Sequence, residues 1–270
     1  MRFSLASIAS ALLLSTGVDA IPLLPKGPVN PNVIAHTGKP VGSLQKIQNV
    51  TTYITRPRNL LTSWPRRKTA VVYLTDVFGI ELPQNKLLAD SFARAGYLTV
   101  APDMFQGEAL STDIDLPTFN MGAFLAKHTT AVQDPIIAKA VAWARAQPGI
   151  DKVAVAGYCW GGKYAFRFLA DGKGVDAAFS AHPSLLLDPE VTAITKPVSV
   201  AYAEVDDLLL PARRGELEGL LLGTGKAYQT TLYSGTHHGF AVRAEINDPE
   251  QKFGKEEAFL QAVRWFDHHL

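Results

Sequence analysis

The chain has 270 residues, a formal net charge of +1, and 47 % hydrophobic against 19 % charged residues. That balance is typical of a globular protein with a large core, and it excludes a largely disordered chain. Neither a basic nor an acidic excess points to nucleic acid or a membrane surface as a partner. Nothing in the sequence indicates an obligate protein partner either.

Residues 1–20 have the pattern of a secretory signal peptide. Arg2 supplies the positive start, residues 8–14 are apolar, and small residues stand before the expected cleavage point after Ala20. The apolar stretch is too short to cross a bilayer. A buried or disordered N-terminus is the alternative. We therefore expect a secreted protein, and its single N-glycosylation sequon places a glycan acceptor at Asn49.

Residues 21–45 are predicted to form an irregular N-terminal arm, because their first part is rich in Pro, Gly and Asn. Residues 46–270 are predicted to form one domain. Apolar runs predict strands at residues 50–54, 70–74, 97–101, 153–156, 177–180, 198–202 and 230–233. Helical spacing and start signals predict helices at residues 87–95, 134–146, 161–170, 211–222 and 256–269.

Short apolar strands that alternate with longer helices indicate an α/β fold, with a mainly parallel sheet covered by helices on both faces. The early strand at residues 50–54 is expected to be antiparallel. In such sheets, functional sites form beyond the carboxyl ends of the strands. Reactive residues that directly follow a strand are therefore the candidates for chemistry.

Cys159 is the only cysteine, and it lies between a predicted strand and a predicted helix in Gly157-Tyr158-Cys159-Trp160-Gly161. This is the G-x-S-x-G nucleophile elbow with Cys in place of Ser, and its glycines permit a tight turn. The turn would lift the sulfur above the sheet at the positive end of a helix, where thiolate is favoured. The alternative is a buried, inert cysteine.

Two further reactive residues follow later strands. Asp206 comes after the strand near Tyr202, and His238 comes after the strand near Tyr233. The chain order of nucleophile, acid and histidine is that of the α/β-hydrolases. We expect His238 to accept the thiol proton and Asp206 to orient the imidazole. Taken singly, each could be an ordinary loop residue.

The segment after the strand at residues 70–74 is the expected source of one oxyanion-hole N–H group. In this chain the two donors would be the backbone groups of Val77 and Trp160. Asp76 could modulate Cys159 electrostatically, or it could simply cap a turn.

The adjacent histidines at residues 237–238 and 268–269 invite a metal site. Adjacent side chains point apart on a strand or a helix, and no Cys-rich or carboxylate-rich spacing supports them. The sequence therefore predicts neither a metal nor a cofactor.

Five segments resemble the dienelactone hydrolase family, and in particular its fungal branch, across residues 69–269. They are LTDVFGI, LLADSFARAGYLTVAPDMFQG, GYCWGGKYAF, HPS and GTHHGFAVR. The resemblance implies a single α/β-hydrolase domain without a large cap. It also implies cofactor-independent hydrolysis of an enol lactone or activated ester, with Cys159, Asp206 and His238 as the triad.

The resemblance also marks residues that would bind or modulate the substrate. Bacterial members have Glu at the position of Asp76, where it interacts with the cysteine in the absence of substrate. They hold a substrate carboxylate with arginines, and Arg243 lies one residue later than their spacing. Other pocket residues would be Phe78, His182 and Phe240, with Trp160 beside the nucleophile, although each could equally serve packing.

These observations predict a secreted hydrolase that cleaves a small activated ester or enol lactone through an acyl-thioester. Its only expected partner is that small-molecule substrate. Two alternatives remain at this point: a secreted small-molecule-binding protein without turnover, and an esterase for larger substrates. One fold hosts many functions, so the site must decide among them.

Overall fold

The computed structural model describes residues 33–57, 68–115 and 118–270. The predicted signal peptide at residues 1–20 and the first part of the arm lie outside the described residues. The strands are β1 (Ser43–Ile47), β2 (Val50–Thr55), β3 (Thr69–Leu74), β4 (Leu98–Pro102), β5 (Lys152–Tyr158), β6 (Ala177–Ala181), β7 (Val198–Val205) and β8 (Tyr228–His237).

The described strands form one sheet in the order β1-β2-β4-β3-β5-β6-β7-β8. β1 pairs with β2 and β2 with β4 in antiparallel fashion, and every pair from β4 to β8 across the rest of the sheet is parallel. The predicted mainly parallel sheet with early antiparallel strands is confirmed.

The helices are α1 (Pro83–Arg94), α2 (Met121–Lys127), α3 (Thr130–Arg145), α4 (Trp160–Arg167), α5 (Asp188–Thr192), α6 (Pro211–Gly223), α7 (Phe240–Arg243) and α8 (Pro249–His269). Alternate residues of β3 enter different apolar layers: Val72 and Leu74 pack on one face, and Val71 and Tyr73 on the other. The first layer includes residues of α3, α4 and α6, and the second includes residues of α1 and α8. Helices therefore cover both faces, as predicted, and within the described residues no large cap domain interrupts them.

The arm and three helix starts differ from the predictions. α1 begins at Pro83 rather than at residue 87, and α8 at Pro249 rather than at residue 256, because each has a proline in its first turn. β1 begins at Ser43, inside the range 21–45 that was predicted to be irregular. α3 begins at Thr130 rather than at Asp134, and Pro135 lies inside it. Asp134 does not cap a helix, because its carboxylate accepts hydrogen bonds from Arg167 at 2.6 and 3.1 Å. The same Asp-Pro signal does start α8, where the side chain of Asp248 caps the first turn.

The parallel strands deliver the candidate residues to one edge of the sheet. β5 ends at Tyr158, β7 at Val205 and β8 at His237. Cys159, Asp206 and His238 are therefore the residues that directly follow these three strands. Adjacent parallel strands carry them to the same end of the sheet, which is where sites of this fold class form.

Substitution of Gly161 with Ala is expected to destabilise the domain. An added Cβ would lie 2.3 Å from the carbonyl oxygen of Leu74, so α4 and β3 would have to separate. We expect the free energy of unfolding to fall by about 1–3 kcal/mol, a typical cost of overpacking. Urea denaturation followed by circular dichroism measures the change.

Gly219→Ala is the matched control for Gly161→Ala. Gly219 lies within α6, and an added Cβ there meets no heavy atom within 4 Å. Ala should stabilise this helix by roughly 0.5–1 kcal/mol. Equal unfolding midpoints for the two variants would show that the close approach of α4 to β3 is not tight.

Candidate active site

Cys159 occupies a strained turn between β5 and α4. Its φ is +52° and its ψ −109°, values that a residue with a side chain rarely adopts. Its N–H donates to the carbonyl of Ala181 at 3.1 Å, and the residue is only 4 % exposed. Such strain persists only where the surroundings impose it, and it concentrates at functional sites. The turn has the form that the sequence predicts for a nucleophile elbow.

Asp206 and His238 are in direct contact. The carboxylate oxygens of Asp206 lie 2.8 and 2.9 Å from Nδ1 of His238. The backbone fixes both residues, since Leu208 N–H donates to Asp206 Oδ1 and His238 N–H donates to the carbonyl of Val205. With Nδ1 bound to the acid, Nε2 of His238 is buried and has no hydrogen-bond partner among the described residues. That nitrogen is free to exchange a proton with a reacting group.

His238 has an unusual protonation equilibrium. Burial opposes its positive charge most strongly, but the hydrogen bond that Nδ1–H donates to Asp206 and the influence of Cys159 outweigh burial and raise its pKa to about 10. Nε2 makes no hydrogen bond of standard geometry among the described residues, and the sulfur of Cys159 favours the protonated ring first as a nearby acceptor and then through its charge. At neutral pH the imidazole therefore holds its proton beside the sulfur.

Two backbone N–H groups near the elbow lack acceptors. Across residues 33–57, 68–115 and 118–270, neither Val77 N–H nor Trp160 N–H makes a hydrogen bond. Three neighbouring donors are engaged: Phe78 and Gly79 N–H bind Asp76, and Gly161 N–H donates to the carbonyl of Thr75 at 3.0 Å. The last bond holds the loop after β3 against the start of α4. Two free donors at this junction are what an oxyanion hole requires.

Asp76 lies in a network of its own. It is fully buried, and its carboxylate accepts from Arg243 Nε at 3.0 Å, Asn85 Nδ2 at 2.9 Å and Phe78 N–H at 3.2 Å. The guanidinium of Arg243 also lies 4.5 Å from the centre of the Phe78 ring. Asp76 is thus both a turn cap and the partner of Arg243. The structure joins these two predicted site residues to each other.

Replacing Arg243 with Met should leave the buried Asp76 charge without its cation. We expect a loss of about 3 kcal/mol in the free energy of unfolding, at the lower end for a buried pair because Arg243 is 31 % exposed. Chemical denaturation measures it. The double variant Asp76→Asn/Arg243→Met removes both charges, and it should recover much of the loss. Additive losses in the double variant would contradict the ion-pair interpretation.

His182 lies beside His238. Its ring centroid is 5.0 Å from that of His238 and 5.5 Å from that of Phe240. It is fully buried, and neither ring nitrogen has a hydrogen-bond partner among the described residues. Burial, followed by the nearby charges of His238 and Arg243, lowers its pKa well below the usual value. His182 is therefore a neutral ring that packs against the candidate base.

Trp160 follows the nucleophile but points into an aromatic cluster. Its ring centroid lies 6.0 Å from that of Phe105 and 6.2 Å from that of Phe124. It is 5 % exposed, and its indole N–H has no acceptor among the described residues. These contacts give the side chain a packing role, while its backbone N–H keeps the position that the sequence predicts.

Ser184 is a contact of the nucleophile that the sequence analysis missed. Its hydroxyl oxygen lies 3.6 Å from Cys159 Sγ, and its N–H donates to the carbonyl of Cys159 at 3.1 Å. The HPS segment after β6 contained the signal, since its position beyond a strand is where site residues occur.

Other predicted features lie away from this edge. Asn49 is exposed in the tight turn between β1 and β2, with φ of +69°. The rings of His268 and His269 meet edge to face at the end of α8, with an interplanar angle of 89°. Within the described parts of the chain, no three His, Cys, Asp or Glu residues are grouped as metal ligands would be. No described helix is both long and apolar enough to cross a bilayer.

Comparisons with known proteins identify the family of this chain. The model of the dienelactone hydrolase family matches residues 50–270. Hydrolase pyvD of Aspergillus violaceofuscus is 36 % identical over 235 residues, covering 87 % of this chain and 93 % of that protein. Hydrolase tropI of Talaromyces stipitatus is 33 % identical over 242 residues, again covering 87 % and 93 %.

Solved structures show the same fold. Dienelactone hydrolase from Anabaena variabilis superposes with a TM-score of 0.57 at 18 % identity, covering 85 % of this chain and 97 % of that one. The predicted α/β-hydrolase fold is confirmed. With a family match over most of its length and two close fungal relatives, the chain belongs to the dienelactone hydrolase family and is a carboxylic-ester or lactone hydrolase.

Proposed function

We propose that this hydrolase cleaves a small activated ester or enol lactone through Cys159, His238 and Asp206, with an acyl-thioester intermediate. One observation carries the proposal. Asp206 holds Nδ1 of His238 while Nε2 stays unpartnered, and the sulfur of Cys159 is close enough to raise the pKa of that ring. An imidazolium beside a sulfur favours thiolate, which is the reactive form.

Acylation needs a nucleophile, an anion site and a proton donor. The thiolate attacks the carbonyl carbon, and the oxygen that becomes negative accepts hydrogen bonds from Val77 and Trp160 N–H. When the intermediate collapses, the carbon–oxygen bond of the ester breaks. The Nε2 proton of His238 then passes to the leaving oxygen, which leaves the acyl group on sulfur and a neutral imidazole.

Deacylation uses the same histidine as a base. In the thioester the sulfur is uncharged, so its contribution to the raised pKa of His238 is lost, while burial still opposes the charged ring and Asp206 still favours it. His238 has already given its Nε2 proton to the leaving oxygen, so that nitrogen can take a proton from water. The resulting hydroxide attacks the thioester, the carbon–sulfur bond breaks, and the thiolate returns beside the imidazolium. The sum is ester plus water to acid plus alcohol or enol.

Activated substrates suit this chemistry best. A thiolate expels a good leaving group, such as an enolate or phenolate, far more easily than an alkoxide or amide. The dienelactone hydrolase family match and the relatives named dienlactone hydrolase in Gibberella moniliformis support a lactone with an enol leaving group. We expect turnover without any added cofactor.

A graded substrate panel tests the proposal. The purified protein is given aryl acetates of decreasing leaving-group quality, an enol lactone, a simple alkyl ester and a long-chain aryl ester. We expect multiple turnovers of the enol lactone and the good aryl esters, with the rate falling as the leaving group worsens. Binding without turnover would favour a binding protein. Rates that rise with acyl size would favour an esterase for larger substrates.

We also propose that the protein is secreted. The charged, apolar and small-residue pattern of residues 1–20 supports export, and Asn49 stands exposed where a glycan could be attached. Expression of the full chain in a secreting eukaryotic host checks this. The protein should appear in the medium without residues 1–20. Retention inside the cell with an intact N-terminus would contradict it.

A further inference from the structure

We propose that Ser184 is a positioning residue whose hydroxyl donates a hydrogen bond to the Cys159 thiolate. The inference rests on the proposed role of Cys159 as nucleophile. Ser184 would be a second group, besides His238, that stabilises negative charge on the sulfur. It lies in the loop after β6, whereas His238 follows β8.

Contact geometry is the first support. Ser184 Oγ lies 3.6 Å from Cys159 Sγ, within hydrogen-bond range for sulfur, and both residues are 4 % exposed. The Ser184 hydroxyl has no other hydrogen-bond partner among the described residues. A buried hydroxyl with a single partner directs its proton there, because leaving it unsatisfied is costly. When the sulfur is a thiolate it can only accept.

The turn that contains Ser184 has a strained backbone on both sides of that residue. His182 and Leu185, which flank Pro183 and Ser184, have φ of +37° and +55°. Each such residue costs on the order of 1–3 kcal/mol, so the surroundings must impose the turn. His182 N–H donates to the carbonyl of Ala201 at 2.7 Å, and Ser184 N–H donates to Cys159. These bonds hold the hydroxyl against the nucleophile.

Close packing supports the same view. A Cβ added at Gly162 would lie 2.9 Å from Pro183 Cα, so the turn after β6 sits directly against the first turn of α4. The distance between Ser184 and the elbow is thus fixed by two packed elements rather than by a mobile side chain.

The expected effect of the Ser184 hydroxyl depends on whether the sulfur is charged. In the acyl-thioester the sulfur is a poor acceptor, and it regains negative charge only when the carbon–sulfur bond breaks. A donor on the sulfur should therefore favour thiolate in the free enzyme and ease departure of the thiolate during deacylation. The hydroxyl itself neither gains nor loses a proton.

Ser184→Ala tests the proposal on two readouts. The rate at which iodoacetamide alkylates Cys159 is measured against pH, and deacylation is followed after rapid acylation by an aryl ester. We expect the alkylation midpoint to move up by about one pH unit and deacylation to slow by about tenfold, the effect of losing one hydrogen bond to a charged group.

Two control variants separate an effect of the Ser184 hydroxyl from an effect of altered packing. Ser184→Thr keeps the hydroxyl and should restore the midpoint to within a few tenths of a pH unit. Ser180→Ala removes another buried hydroxyl, which binds the carbonyl of Gly162, and it should leave the midpoint unchanged. Urea denaturation confirms that each variant is folded. If Ser184→Ala does not fold, Ser184→Thr is compared instead with Ser184→Val, which has nearly the same shape as threonine but lacks the hydroxyl.

An unchanged midpoint and an unchanged deacylation rate in Ser184→Ala would overturn the proposal. If Ser184→Val is used, a midpoint equal to that of Ser184→Thr would do the same. Failure of the proposed function looks different. In that case Cys159 would carry no acyl group in the wild-type protein or in any Ser184 variant.

Discussion

Cys159→Ala should abolish hydrolysis of an activated aryl ester. The variant keeps His238, Asp206 and both free N–H donors but has no atom to form the acyl intermediate. We expect kcat/KM to fall by about 10⁴-fold or more, as for loss of a nucleophile in other triads. Steady-state kinetics with an aryl acetate measure the change, after correction for hydrolysis in buffer alone.

Two comparisons make the Cys159→Ala result interpretable. The small, buried side chain should be removed with little loss of fold, which circular dichroism and urea denaturation verify. Cys159→Ser supplies a hydroxyl at the same position, but a hydroxyl is far harder to ionise, so its activity should also fall steeply. If Cys159→Ala retains wild-type kcat/KM, another group is the nucleophile.

Asp206→Asn should give the second largest loss. The amide cannot stabilise an imidazolium, and it favours the wrong tautomer of His238, so we expect kcat/KM to drop by about 10³-fold. The Asp206 side chain is almost completely buried, and among the described residues His238 is the only ring that it contacts, so the effect should pass through that residue. Folding of the variant is checked by circular dichroism.

The pH dependence of acylation tests whether Asp206 acts through His238. His238 has its pKa raised to about 10, so in the wild type the leaving-group proton should be lost, and acylation should slow, as pH rises through that value. Asp206 is a major cause of the raised pKa. In Asp206→Asn the alkaline decline should therefore move to lower pH. An alkaline limb at the wild-type position would mean that Asp206 does not control His238.

The strand-end residues could be predicted from the sequence because their signals are local. Cys159 lies in a Gly-x-Cys-x-Gly motif between a buried apolar strand and a helix, and Asp206 follows a second largely buried strand. His238 follows a more exposed strand, whose Thr and Tyr residues are typical of β-structure. Parallel pairing then brings all three to one edge without any further information. The predicted fold class needed only the alternation of strands and helices.

Long-range pairings could not be predicted in the same way. Asp76 and Arg243 are 167 residues apart, and only the four-residue helix α7 brings the guanidinium to the buried carboxylate. Nor does the sequence show that the Asp-Pro pairs at residues 134–135 and 248–249 have different roles. Asp248 caps α8, whereas Asp134 binds Arg167 from inside α3, since a tertiary ion pair overrides the local signal. The position of Ser184 beyond β6 marks it only as a possible site residue, and its contact with Cys159 joins segments 25 residues apart that the sequence alone does not pair.

Trapping the acyl-enzyme tests the central claim most directly. The wild-type protein is mixed with excess aryl ester, quenched in acid within milliseconds to seconds, and examined by intact-mass and peptide mass spectrometry. We predict one acyl group, located on Cys159, that forms at least as fast as steady-state turnover and is removed by hydroxylamine. An acyl group on another residue, or one on Cys159 that forms more slowly than turnover, would contradict the account.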